Sequence, residues 1–156
     1  MRTKLHEVHD LGQSIWIDFM SRDLLAGPFQ DWIARGLRGA TSNPSIFDKA
    51  ISHGEEYDPE INELAQAGRS AEEIYRQMAV EDIQKACDQM RPVFDESGGA
   101  DGFVSLEPKA QLAHQTEATI ERVTLLHGAV DRPNLMIKIP ATKEGLPAIR
   151  RSLAQG

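Results

Sequence analysis

Apolar runs of strand character alternate along the chain with stretches of helical spacing. "SIWIDF" (14–19), rich in isoleucine and aromatics, predicts a strand. "FQDWIARG" (29–36) predicts a short helix ended by Gly36, and "LRGATSN" (37–43) a second strand stopped by Pro44. Residues 45–100 read as mostly helical. Within them Ser70 and Glu73 form a capping box, and Ile74, Met78, Ile83, Cys87 and Met90 recur at helical spacing as one buried stripe. "ESGGADG" (96–102) is a loop. A third strand, "FVSLEP" (103–108), precedes a helix over 110–129 with Ala113, Thr116, Ile120, Val123 and Leu126 or His127 on one side. "LMIKIP" (135–140) is a fourth strand. "EGLPAIRRSL" (144–153) opens a last helix with Leu146, Ile149 and Leu153 on one face.

Strands and helices in alternation, with connections longer than a hairpin, imply parallel βαβ units. A doubly wound open sheet and a (β/α)8 barrel both fit. No Gly-x-Gly-x-x-Gly follows a strand, which disfavours the dinucleotide-binding open sheet. A whole barrel needs about 250 residues and eight strands, against about four strands here.

Side chains on a strand alternate between two faces. In the fourth strand Leu135, Ile137 and Ile139 oppose Met136, Lys138 and Pro140. In the first, Ile15, Ile17 and Phe19 oppose Trp16 and Asp18; in the third, Val104 and Leu106 oppose Phe103, Ser105 and Glu107. Thr41 and Asn43 lie together in the second, with Gly39. Three strands thus pair an aliphatic face, suited to packing on helices, with one ionisable residue on the other: Asp18, Glu107 or Lys138. Each stands towards the C-terminal end of its strand, where parallel α/β folds build ligand sites.

Composition narrows the function. The 156 residues suit one domain, and 40% hydrophobic with 26% charged residues is the balance of a soluble globular protein. A net charge of −7 with no basic cluster argues against a nucleic-acid surface. No run approaches the roughly 18 apolar residues of a membrane span, and "MRTKLHEVHDLGQ" lacks the apolar core of a signal peptide. The single cysteine, Cys87, excludes an internal disulfide. Together these predict a cytoplasmic location. His6 and His9 supply too few ligands for a metal and read as solvated.

No Ser or Cys nucleophile stands beside a His, which disfavours acyl transfer. A carboxylate pair for glycoside hydrolysis leaves the lysine without a role. A lysine with two carboxylates suits Schiff-base chemistry on a carbonyl substrate, with the carboxylates moving protons. Only the neutral amine attacks. A free lysine, with a pKa of about 10.4, is neutral in about one molecule in 2,500 at pH 7. Lowering that pKa to about 7 takes roughly 4.6 kcal/mol of differential destabilisation of the ammonium, which apolar neighbours favour and ionised carboxylates oppose.

At these residues the sequence resembles the transaldolases. "GATSNPSIF" (39–47) is similar to the family's Thr-[Ser/Thr]-Asn-Pro-[Ser/Thr] motif at the end of the second barrel strand, and "LMIKIPAT" (135–142) to the motif around its Schiff-base lysine. "WIDFMSRDLL" (16–25), "VSLEP" (104–108) and "LAHQTEATI" (112–120) follow in the family's order and spacing, and "LGQSIWID" is most similar to the longer bacterial transaldolases, some fused to a phosphoglucose isomerase.

The resemblance implies an α/β fold of the (β/α)8 TIM-barrel family, with residues 1–156 as an N-terminal half of about the first four β/α units. It implies transfer of a dihydroxyacetone unit from sedoheptulose 7-phosphate to glyceraldehyde 3-phosphate in the pentose phosphate pathway, with sugar phosphates as partners and no metal or organic cofactor. By position Lys138 is then the Schiff-base nucleophile and Asp18 the acid/base for the carbon–carbon bond. Glu107 acts through a water in carbinolamine formation and dehydration, Asn43 holds a substrate hydroxyl, and Thr41 supports the site. Pro108 departs from the family's usual valine. The chain stops before the strands that carry the family's further site threonine and its phosphate-binding serine and arginine. A half barrel is expected to self-associate or to take its missing half from elsewhere. The alternatives are a catalytically impaired remnant and a Schiff-base aldolase that releases free dihydroxyacetone.

Overall fold

Four short strands, β1 (Trp16–Asp18), β2 (Gly39–Thr41), β3 (Phe103–Leu106) and β4 (Leu135–Ile137), form one parallel sheet in the computed structural model, which describes residues 2–155. Their order, β1-β2-β3-β4, is the order of the sequence. Helix α1 (Lys4–Asp10) precedes the sheet. Helices α2 (Arg22–Leu25) and α3 (Pro28–Ala34) connect β1 to β2, while α4 (Pro44–His53), α5 (Asp58–Gln66) and α6 (Ala71–Glu96) connect β2 to β3. Helix α7 (Thr116–Val130) connects β3 to β4, and α8 (Gly145–Leu153) follows. A doubly wound sheet reverses its strand order at a switch point; here each strand adds beside its predecessor, as in a barrel wall. The chain forms four β/α units of a (β/α)8 barrel.

One face of the sheet makes the core. Ala40, Val104, Leu106 and Leu135 are buried against Met20, Phe29, Phe47, Ile83, Met90 and Val93, with Ile17 and Ile137 at the margin. The long helix α6 begins where its capping box lies: Ser70 Oγ accepts from the Glu73 amide, and the Glu73 carboxylate accepts from the Ser70 amide. Its stripe of Ile74, Met78, Ile83, Cys87 and Met90 is buried throughout. Burial pushes the Cys87 thiol up to about 12, so it is a packing residue with little thiolate. Gly36, at φ +105°, ends the turn after α3 in a conformation that side chains disfavour. At Gly39 the Trp16 ring lies so close that a Cβ would approach it to 2.3 Å.

Two polar devices fix the frame. Asn134 is fully buried, and its Nδ2 donates to the carbonyls of Cys87 and Gly102, both at 2.9 Å. Its own carbonyl accepts from Val104 at 3.0 Å, so the start of β4 is tied to α6 and β3. Arg22, in α2, reaches Asp82 at 3.1 Å and Glu60 at 2.5 Å, with its guanidinium 4.6 Å from the Tyr57 ring centre. The Tyr57 hydroxyl donates to Asp82 at 2.7 Å and accepts from the Arg22 amide at 3.1 Å. Burial raises the pKa of Asp82, while its bonds from Tyr57 and Arg22 pull it down.

Several elements differ from expectation. Each strand is shorter than its apolar run, and the helix expected over 110–129 starts at Thr116 after a single turn over Ala110–Leu112. Side-chain bonds explain the delay: Thr119 Oγ1 donates to the Leu112 carbonyl and Thr116 Oγ1 to that of Glu144. His6 and His9 are half-buried on α1, so each is only partly solvated. His6 Nδ1 accepts from the Thr3 amide, and His9 Nδ1 lies 3.7 Å from Asp101. Ile15 and Phe19 are exposed because β1 is an edge strand without an outer partner. In α8 the buried residues are Gly145 and Ala148, while Leu146 and Leu153 stand exposed. An apolar groove lined by Val123, Leu135, Ile137, Ile139, Ile149 and Leu153 runs beside the other edge, β4. Among the described residues no helix is long and apolar enough to cross a membrane, and no group of three His, Cys, Asp or Glu side chains is placed to hold a metal ion.

Candidate active site

Strand pairing sets the height of each polar residue on the other face. Asp18 is level with Thr41, Thr41 with Ser105, and Ser105 with Met136. Leu106 is level with Ile137, so Glu107 and Lys138 leave β3 and β4 as neighbours. The Lys138 amide still donates to the Leu106 carbonyl at 2.9 Å, which extends the pairing past the regular strand. Lys138 Nζ consequently lies 3.1 Å from a Glu107 carboxylate oxygen and 3.4 Å from Thr41 Oγ1. Ser105 Oγ donates to Thr41 Oγ1 at 2.8 Å.

The end of β2 is held to β3 by the next residue. The amide and hydroxyl of Ser42 both donate to the Ser105 carbonyl, at 3.2 and 2.8 Å. Asn43 then caps α4: its Oδ1 accepts from the Ile46 amide at 2.9 Å, with Pro44 opening the helix. With Oδ1 engaged, the Asn43 Nδ2 is the group available to donate to a ligand oxygen.

Lys138, Glu107 and Thr41 are therefore brought together, with Asn43 two residues beyond Thr41. Asp18 is not. It is exposed at the end of the edge strand β1, and among the described residues no hydrogen bond or ion pair joins it to Lys138 or Glu107. Two strands separate β1 from β4, so their axes would lie roughly 14 Å apart across a flat sheet. Asp18 sits on the opposite flank of the same face.

The Lys138 side chain is 42% exposed and that of Glu107 is 19% exposed, so a small carbonyl compound can reach the amine. A carboxylate at 3.1 Å is within reach of an ammonium proton and of a water beside it. The arrangement holds a primary amine, a proton acceptor and a hydroxyl at the C-terminal mouth of three adjacent strands. Ser105 and Ser42 received no role from the sequence. Alternation already puts Ser105 on the face of Glu107, but an uncharged residue in a strand gives no further signal.

Comparison with known proteins gives two results. The profile of the Transaldolase/Fructose-6-phosphate aldolase family matches residues 15–156. Over 147 residues the chain is 48% identical to a transaldolase of Mycobacterium ulcerans (strain Agy99), covering 93% of this chain and 39% of that protein. The same figures hold for a transaldolase of Mycobacterium tuberculosis (strain ATCC 25618 / H37Rv). A transaldolase of Trichodesmium erythraeum (strain IMS101) is 44% identical over 154 residues, 97% of this chain and 40% of that protein. The chain thus spans about 40% of the length of these curated relatives.

Proposed function

Because the chain belongs to the transaldolase/fructose-6-phosphate aldolase family, we propose that Lys138 is a Schiff-base nucleophile and that residues 1–156 are the N-terminal half of a transaldolase barrel. The reaction moves a dihydroxyacetone unit from sedoheptulose 7-phosphate to glyceraldehyde 3-phosphate, as in the pentose phosphate pathway. The observation that carries this reading is the 3.1 Å pair of Lys138 and Glu107 at adjacent strand ends. Glu107, acting through a water, relays a proton from the ammonium to solvent, the amine adds to the donor's ketone, and water leaves the carbinolamine with a proton delivered by the same route. The iminium then accepts electrons as the carbon–carbon bond breaks. Asp18, on the far flank, takes the hydroxyl proton of the departing aldose and returns one to the acceptor. Asn43 donates to a substrate oxygen, and Thr41 holds the amine.

The test is incubation with fructose 6-phosphate and borohydride, followed by peptide mass spectrometry. A reduced three-carbon adduct at Lys138 is expected. In a parallel incubation without borohydride, addition of erythrose 4-phosphate separates a transaldolase, which forms sedoheptulose 7-phosphate, from an aldolase, which releases dihydroxyacetone. A second reading, a remnant without turnover, predicts no adduct at Lys138.

The two edge strands, with Phe19 and Ile15 exposed at one and Met136, Leu146 and Leu153 at the other, call for a covering partner. That partner is the remaining half of the barrel or a second copy of this chain. Residues 1–156 alone are expected to elute as dimers or larger in size-exclusion chromatography. A monomer peak with cooperative unfolding would contradict this.

A further inference from the structure

We infer that Ser105 is a positioning residue for Lys138, aiming the amine through the Thr41 hydroxyl. The inference rests on the Schiff-base reading of Lys138. Ser105 is only 5% exposed, in β3, and donates its one hydroxyl proton to Thr41 Oγ1 at 2.8 Å. A hydroxyl oxygen has two acceptor lone pairs. Ser105 occupies one, and Lys138 Nζ stands 3.4 Å from the same oxygen. Thr41 is thereby held as an acceptor towards the lysine, and Glu107, at 3.1 Å, is the second acceptor. A neutral amine has two N–H bonds and one lone pair. With both N–H bonds engaged, the lone pair is directed away from Thr41 and Glu107, towards the open face where a carbonyl arrives. Without the Ser105 proton the Thr41 hydroxyl is free to rotate, and the amine keeps one anchor.

The role belongs to the side chain and not to the strand. Ser42 is tied to the backbone carbonyl of Ser105, so Ser105→Ala leaves the attachment of β2 to β3 in place.

The experiment reads Lys138 in two ways, in the wild type, Ser105→Ala, Ser105→Thr and Thr41→Val. One is the rate of borohydride-trapped adduct with fructose 6-phosphate. The other is reductive methylation by formaldehyde and cyanoborohydride at pH 7, measured peptide by peptide against Lys143. Ser105→Ala should lower the saturating ketose rate about tenfold through lost aim, with the half-saturating concentration unchanged. Formaldehyde is small and insensitive to aim. With the Thr41 lone pair no longer held towards Lys138, the amine is released from one of its two anchors, so methylation of Lys138 should rise about threefold. Ser105→Thr should restore both readouts, and Thr41→Val should reproduce both changes even if Ser105→Ala does not fold. An unchanged methylation ratio, or a fall in both readouts together, would overturn the assignment. If the wild type forms no ketose adduct, the Schiff-base reading fails by itself, and the methylation ratio alone decides whether Ser105 governs Lys138.

Discussion

Lys138→Arg is expected to abolish the borohydride-trapped adduct, a loss of at least about a thousandfold, while the protein stays folded. The argument separates charge from nucleophilicity. Arginine keeps a cation opposite Glu107, now 3.1 Å from the lysine nitrogen, so the local pairing survives. Its guanidinium does not lose a proton in proteins, so no neutral nitrogen is available to attack a carbonyl. Lysine can supply one, since an ammonium shifts its pKa when the surroundings change. The check is intact mass after incubation with fructose 6-phosphate and borohydride, with circular dichroism to show that both proteins are folded. An adduct that persists in the arginine variant, carried for instance by Lys143, would remove Lys138 from its role.

The second large effect concerns stability and involves a different set of side chains. Asp82→Ala is expected to cost about 3–5 kcal/mol. Asp82 has no exposed side-chain surface, and it takes bonds from both Arg22 and Tyr57. Its removal leaves the Arg22 guanidinium with Glu60 and Glu81 at the surface side and nothing on the inner side. It also strips the buried Tyr57 hydroxyl of its acceptor. The cost is one of orphaned groups, since burial itself disfavours the ionised carboxylate. For a domain of this size the loss corresponds to a fall in Tm of roughly 6–20 °C. Thermal unfolding followed by circular dichroism measures it. Asp82→Asn, which keeps an acceptor for Tyr57, should fall less than the alanine variant, and equal losses would show that the acceptor has no part in it.

The two effects lie on different links of the same chain of causes. Asp82 acts through packing around α2, α5 and α6, and Lys138 through the proposed chemistry at the sheet. Arg22 lies four residues after Asp18, but no hydrogen bond or ion pair joins the two clusters among the described residues.

Where the sequence carried a local signal, the structure follows it. The capping box at Ser70 and Glu73 and the buried stripe of α6 are set by neighbours a few residues apart, and both are legible without tertiary information. The alternation of Val104, Leu106, Leu135 and Ile137 against Glu107 and Lys138 was legible for the same reason. Strand ends were not. Lys138 reads as mid-strand, yet regular pairing stops at Ile137, because that depends on a partner strand the sequence does not reveal. The delayed start of α7 depends on Thr116 reaching Glu144, 28 residues away. The exposed face of α8 depends on what packs beside β4. Within the candidate site, residue types and faces were legible, but the 3.1 Å contact and the Ser105–Thr41 bond come from register between strands. The half-burial of His6 and His9 likewise comes from partners on other elements or around a helix cap.

Glu107 and Lys138, the proposed base and nucleophile, sit on one β3–α7–β4 unit, the stretch Phe103–Lys138. Their spacing depends on the pairing of those two strands and on the anchor at Asn134. The proposed reactive pair is therefore portable. A barrel divided into two polypeptides outside that stretch keeps the pair intact on one of them, and a circular rearrangement with its new ends elsewhere does the same. A break within α7 instead puts Glu107 and Lys138 on separate chains, and the contact then has to be rebuilt by association.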